Sequence, residues 1–377
     1  MTKVLITGGA GFIGSNLSLD LVSRGHEVTI LDSLSPQIHT SQPEKNSPLY
    51  KTVIGKVNFI KGSVEDKEIF YKAIENNEVI VHYAAETGTG QSMYEINKYN
   101  NVNIGGTANM LDILTNREHK VKKIVVASSR SIYGEGKYYS SKYGIVFPTS
   151  RVDNELKSGN FEVSYLDDRN LILKPTDEES KIHPSSFYAI TKQVQEQMIM
   201  TLCPNIGIAP VALRYQNVYG PGQSLTNPYT GILSIFSNLI LSDKPVNIFE
   251  DGLESRDFVY ISDVVAATRL SIESENANGQ ILNVGSGVNT SVLAIAKLLY
   301  HFYNKEENFK ITGNYRLGDI RHNYADLSKV FSKIGFEPSV TMEEGIKNFC
   351  SWVQMQNIVD NGYEKSIQEM KTKGLLK

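Results

Sequence analysis

Cysteine is nearly absent from this chain: Cys203 and Cys350 are the two in 377 residues. Neither a disulfide scaffold nor a Cys-rich zinc site is supported, and both thiols read as buried structural groups. Histidine is also sparse, with seven residues and no H-E-x-x-H or comparable spacing, so no metal is implied. Charge of one sign is lacking too. With 38 Lys and Arg against 41 Asp and Glu, the formal net charge is -3, which gives no electrostatic case for a nucleic-acid or anionic-membrane partner. No apolar run approaches the length of a bilayer span, and the opening "MTKVLITGG" has no charged leader followed by an apolar core. The expected location is cytoplasmic. No internal repeat is found.

What the chain does have is an alternation of apolar strands with helical spacing. "KVLITGG" reads as a strand entering a glycine turn, "AGFIGSNLSLDLVSRGHE" as a helix and "VTILD" as a second strand. "VNFI", "EVIVHYAA", the helical "NVNIGGTANMLDILTN" and "KIVVASS" continue the pattern, which predicts parallel strands covered by helices. Residues 137–177 break the rhythm: "KYYSSKYG", "KSGN" and "DDRN" surround a strand-like "FEVSYL", so an inserted hairpin or excursion is expected. A helix "SSFYAITKQVQEQMIMTL", a strand "APVALRY" and a turn "VYGPGQ" follow. Later come a helix "YTGILSIFSNLILS", a loop around "EDGLESRDFVYISD", a strand "QILNVGSG", and helices around 291–303 and 341–357.

The opening turn is "GGAGFIG". Gly8 permits the tight turn, Gly11 the approach of a pyrophosphate and Gly14 the contact of helix with strand, while the helix start supplies anion-facing N–H groups. Strand, glycines, helix and second strand stand in the order of a dinucleotide site. Asp32, ending "VTILD", can accept from an adenosine ribose and would repel a 2'-phosphate, which favours NAD over NADP. The fold class is therefore α/β, with a Rossmann-type parallel sheet and a smaller mixed α/β C-terminal substrate lobe. The expected division is a dinucleotide lobe over 1–180, a core segment over 181–219 that returns to it, a mainly substrate-binding lobe over 220–340, and a helical segment over 341–377.

Tyr188 and Lys192 in "FYAITK" lie four residues apart on the expected helix and so share a face. An ammonium beside a phenol stabilises the phenolate, so Tyr188 can accept a hydroxyl proton as hydrogen leaves the same alcohol carbon. Lys192 can also bond the nicotinamide ribose. The pair alone is weak, but with the upstream glycine turn it points to alcohol–ketone redox chemistry.

Together, "GGAGFIG", "SSRSIYG", "YAITK", "RYQNVYGPG", "ESRDFVYISD" and "RLGDIRHNYAD" resemble the extended short-chain dehydrogenase/reductase family, specifically its nucleoside-diphosphate-sugar epimerases and dehydratases. The resemblance implies Ser129, Tyr188 and Lys192 as the catalytic set, with Ser128 supporting the strand end. It implies a cofactor site of Gly8, Gly11, Phe12, Ile13, Gly14, Asp32, Ser63, Val64, Tyr83, Ala84, Ala85, Asn103 and Tyr215, together with Tyr188 and Lys192. Ser63 stands where many relatives have Asp. A substrate set of Thr87, Gly88, Thr89, Ser129, Arg130, Asn217, Arg256, Arg316 and Arg321 is implied too, the last four as nucleotide-diphosphate contacts. A homodimer is also expected from it.

Dehydratases of the family place an Asp–Glu pair directly after the catalytic Ser or Thr, whereas Ser129 is followed by Arg130 and Ser131. Loss of a C6 hydroxyl needs that carboxylate chemistry, so epimerisation is expected instead. The loop "AAETGTGQSMYE" with "SSRSIYGEG" looks more similar to deoxysugar 4-epimerases, such as those acting on dTDP-L-rhamnose, than to galactose 4-epimerases. The alternatives are UDP-hexose 4-epimerisation, C2 epimerisation, decarboxylation, or a non-catalytic nucleotide-sugar-binding protein.

Overall fold

The computed structural model describes residues 1–227, 229, 231–356 and 362–377. Its main sheet has seven parallel strands, in spatial order Asn58–Lys61, Glu27–Asp32, Lys3–Thr7, Val79–His82, Lys123–Ser129, Ala209–Tyr215 and Ile281–Val284. Alternate residues of each strand serve opposite faces. Val4 and Ile6 join Leu17 and Leu21 of the helix Phe12–Ser23 in one core, while Leu5 joins Phe70, Met110 and Ile80 in the other. Burial on both faces is why these strands are almost wholly apolar.

The strand order reverses at Lys3–Thr7, whose two neighbours are Glu27–Asp32 and Val79–His82. In open parallel sheets the crevice at such a reversal is where ligands sit, outside the carboxyl ends of the strands. Thr7 is in register with His82 there, so the glycine turn and the segment Tyr83–Ala85 open into one cleft.

In the second lobe Ser255–Tyr260 pairs in parallel with Asn217–Tyr219 and His322–Asn323 and antiparallel with Asn289–Ser291. Val246–Ile248 pairs with Phe309–Ile311, and the helices Ile232–Leu241, Val292–Tyr303 and Met342–Gln354 enclose a core that includes Phe236, Leu299 and Phe349. The stretch 220–340 serves both lobes: the helix Ile261–Glu273 packs on Phe12–Ser23, and Ile281–Val284 closes one edge of the main sheet.

The expected excursion contains a three-stranded antiparallel sheet of Gly144–Val146, Tyr138–Ser140 and Ile172–Leu173. Its strand-like "FEVSYL" is not a strand. Leu166 adopts φ +53, and Tyr165 and Asp168 exchange backbone hydrogen bonds across a tight turn. A second correction concerns "EDGLESRDFVYISD", read as a loop. Ser255–Tyr260 is a buried strand and a helix starts at Ile261; the charges that hid it are satisfied internally, Asp257 accepting from the backbone N–H groups of Ser286, Gly287 and Ala325. "VYGPGQ" turns only after Tyr219, because Asn217–Tyr219 is already strand. Helices occupy Ile232–Leu241 and Met342–Gln354 within the expected 229–242 and 341–357, and residues 230 and 357 lie outside the described residues. Both cysteines are buried and unpaired, and burial pushes each thiol up to about 12.

Candidate active site

The glycine turn is built so that only glycine fits. Gly8 has φ +68, and a Cβ there would lie 2.9 Å from the backbone nitrogen of Ala84. A Cβ on Gly14 would lie 2.5 Å from the Gly8 carbonyl oxygen. The helix Phe12–Ser23 begins at Gly11 with no side-chain cap and no acidic residue in its first turn, so Phe12 and Ile13 stand at a helix start open to an anion. This cradle fits a dinucleotide pyrophosphate.

Asp32 closes the same turn. Its carboxylate accepts from Ala10 N–H at 3.0 Å and Leu34 N–H at 2.8 Å, and burial raises its pKa against those bonds and nearby His39. Each carboxylate oxygen keeps a further lone pair for a ribose hydroxyl. Ser63 bonds Glu65 at 3.1 Å, and Val64 packs against Gly106. Ala84 N–H donates to Thr7 Oγ1, which brings Ala84 and Ala85 over the turn. Tyr83 and Tyr215 have their hydroxyls in one triangle with Thr268, at 2.7 to 2.9 Å, which locks the strand ends together.

A buried hydrogen-bond chain joins this turn to Lys192. Thr107 Oγ1 donates to the Asn103 carbonyl at 2.6 Å, so it accepts from His82 Nε2 at 3.1 Å and from Gln195 Nε2 at 2.9 Å. His82 Nδ1 is then the acceptor for Thr7 Oγ1. Gln195 Oε1 in turn accepts from Lys192 Nζ at 2.9 Å. Asn103 sits in a π-helical turn, Asn100–Gly105, that turns its side chain inward onto Glu86 and Thr191. With Gln195 as its neutral partner, burial pulls the Lys192 ammonium down to about 7.

Ser129 ends its strand and caps the following turn, Arg130–Tyr133. Its Oγ accepts from Ser131 N–H at 3.2 Å and from Ser131 Oγ at 2.9 Å, which leaves its own proton free to donate. Tyr188 is held at the start of the helix Phe187–Leu202 by the Ser186 cap and by Ser92, on the side of Ser129. Burial raises the Tyr188 phenol, and the Ser129 bond and the charge of Arg130 lower it. Arg130 is the cation that lowers the phenol here, and Lys192, one turn along, donates to Gln195. Ser128 faces away and bonds Glu196, itself paired with Arg214.

Arg130 and Arg316 have buried nitrogens without a hydrogen bond, Nη1 and Nε respectively, and both side chains line the cavity between the lobes. Asn217 accepts from Arg130 Nε at 2.6 Å and so aims it. Arg256 is further back, donating to two backbone carbonyls and to Asp319. Arg321 is not brought to the cavity. It is fully buried, held by Glu162, Glu250 and Asp251 at 2.5 to 3.1 Å, because the excursion carries Glu162 beneath it. Thr89 lines the cavity opposite Arg130 and Ser131, and Gly88 at φ +117 shapes the loop. The Thr87 carbonyl accepts from Tyr99 at 2.6 Å.

Four contributors were missed in the sequence: Ser131, Gln195, Met93 and Met370. Only Gln195 carried a signal, since it is three residues past Lys192 on one helix face.

The model of the NAD dependent epimerase/dehydratase family matches residues 4–150 and 165–285. The dTDP-L-rhamnose 4-epimerase of Burkholderia thailandensis is 34% identical over 356 residues, 94% of this chain and 95% of that one. The UDP-N-acetyl-alpha-D-glucosaminuronate decarboxylase of Bacillus cytotoxicus is 29% identical, covering 93% and 97%. The UDP-glucose 4-epimerase of Thermus thermophilus, solved with NAD, is 26% identical with a TM-score of 0.74, covering 94% and 100%.

Proposed function

From a chain that belongs to the NAD-dependent epimerase/dehydratase family, and so works with NAD on a nucleoside-diphosphate sugar, we propose C4 epimerisation of a deoxyhexose as the activity. One observation carries it: Ser129 and Tyr188 face each other next to Ser131 and Ser186 of the cavity wall, and the two residues after Ser129 are Arg130 and Ser131, with no carboxylate to eliminate a C6 hydroxyl.

In this reading the cofactor's pyrophosphate lies on the start of the helix Phe12–Ser23 and its adenosine ribose on Asp32. Bound NAD supplies a reversible acceptor for the hydrogen on the sugar carbon. Ser129 donates to the O4 hydroxyl oxygen and orients it. Tyr188 takes the O4 proton as the 4-keto sugar forms and returns it after the sugar has turned its other face. Arg130 stabilises the phenolate during that interval. Arg316 bonds the diphosphate through its unused N–H, and Asn103 with the Lys192–Gln195 pair keeps the nicotinamide end in register. Exposed Ile190 and Leu202 on the helix Phe187–Leu202 support a homodimer through that helix.

The test is incubation with dTDP- and UDP-sugars, with products assigned by proton NMR. An inverted C4 centre without accumulation of NADH is the expected result. A dehydrated or decarboxylated product, or inversion at C2, would replace the proposal.

A further inference from the structure

The last described segment of the chain closes over the cavity. The helix Tyr363–Thr372 lies against the loop that follows Val79–His82: the Met370 sulfur would be 3.2 Å from a Cβ placed on Gly90. Glu369 accepts from Tyr94 at 3.2 Å and from Tyr229 at 2.7 Å, so one carboxylate ties that loop to the second lobe. Beyond the helix, the backbone pairs with the segment that carries Arg316. Leu317 N–H donates to Leu375, and Tyr315 and Lys377 exchange bonds at 2.9 and 3.0 Å. Lys377 Nζ also reaches Asp153 of the excursion at 2.8 Å. The arm is thus fastened at both ends to the walls of the site.

Its contribution to the cavity beside Arg130 and Ser131 is wholly apolar, Met370 and Leu375, and they share that cavity with Met93 of the glycine loop. Ser131, on the wall of the same cavity, bonds Ser129, so these three side chains share a cavity with the residue that orients Ser129. Resting on the nucleotide-sugar reading above, we propose that the C-terminal arm, residues 363–377, determines substrate choice, with Met370, Leu375 and Met93 forming a seat for the C6 methyl of a 6-deoxyhexose. From these three side chains a methyl group meets carbon and sulfur, while Thr89, Ser131, Ser185 and Ser186 belong to the polar part of the same cavity. A C6 hydroxyl set against the same three side chains gains no hydrogen bond from them, which disfavours an ordinary hexose, and a uronate more strongly. Methionine suits the seat because its flexible thioether adapts to a methyl group while offering it no hydrogen bond.

The probes are dTDP-L-rhamnose and dTDP-L-mannose, which differ only in the C6 hydroxyl, with the UDP forms in parallel. Their affinities for the full-length, NAD-loaded protein are measured by calorimetry, so the readout does not depend on turnover. The wild type is expected to bind the deoxy sugar at least about tenfold more tightly, the scale of discrimination an apolar pocket reaches. Met370→Gln should reduce that ratio to about threefold or less. Met93→Gln, on the body of the protein, should do the same, and covers the case in which the first substitution loosens the arm. Equal affinities in the wild type, binding of neither sugar, or an unchanged ratio in both variants would overturn the seat. Discriminating binding without any C4 inversion would leave the seat standing and remove the proposed reaction.

Discussion

Ser131 Oγ lies 2.9 Å from Ser129 Oγ and donates to it, and the Ser131 backbone N–H donates to the same atom. Both acceptor positions of Ser129 are therefore filled, and its one proton is left for Tyr188 or for a sugar oxygen. Ser131→Ala should keep bound NAD and lower kcat about three- to tenfold with little change in KM, because the hydroxyl remains but is no longer oriented. Ser129→Ala should cost more. A larger loss for Ser131→Ala than for Ser129→Ala, in steady-state assays of both, would remove Ser131 from this role.

Tyr188→Phe should retain the fold and the cofactor and reduce kcat at least about tenfold, since it deletes the group that moves the proton. Cofactor absorbance after purification checks the first statement and turnover the second. Near-parental turnover would exclude Tyr188 as the base.

Arg316 and Arg321 stand five residues apart in one motif and should behave differently. Arg321→Met removes a fully buried guanidinium from Glu250, which keeps its pair with Arg151, and from the partly exposed Asp251, and is expected to cost ~1–3 kcal/mol in a urea unfolding curve. Arg316→Met should leave the unfolding midpoint nearly unchanged and raise the substrate KM at least about tenfold, through loss of a charge-assisted bond to phosphate. Reversed effects would exchange their roles.

Gly14→Ala forces a methyl group to 2.5 Å from the Gly8 carbonyl and 2.6 Å from the Gly9 Cα, backbone atoms that cannot step aside. A loss of ~1–3 kcal/mol and at least about tenfold weaker NAD retention are expected. Undiminished NAD content in the purified variant would contradict the tight turn.

Lys192 makes stability depend on pH. Its folded pKa is drawn down to about 7, whereas the unfolded chain holds the proton to about 10.4. Between those values the unfolded state binds more protons, so the Lys192 contribution to stability rises with pH across that window. Lys192→Met removes the buried charge, and its advantage over the wild type should be largest near pH 6 and shrink toward pH 10. Urea midpoints for both proteins across that range check it, and parallel profiles would refute it.

Sequence periodicity made most strands of the main sheet legible, because a strand buried on both faces must be nearly all apolar and glycine alone fits the turn after the first. Tyr188 stood out through its four-residue spacing from Lys192, and Ser129 only through the resemblance of its motif. Ser255–Tyr260 was not, because its Arg256 and Asp257 look solvent-bound until the distant N–H groups and carboxylate that satisfy them are in place. The same holds for the arginines: spacing cannot separate Arg316, which lines the cavity beside Asp319, from Arg321, neutralised by acids 70 and 159 residues away in the chain. Nor can spacing show that Met370 comes to rest on Gly90. Local patterning determined the strands and the turn; which charges are spent in the fold and which side chains line the cavity was decided by long-range packing, because burying a charge without a partner is costly.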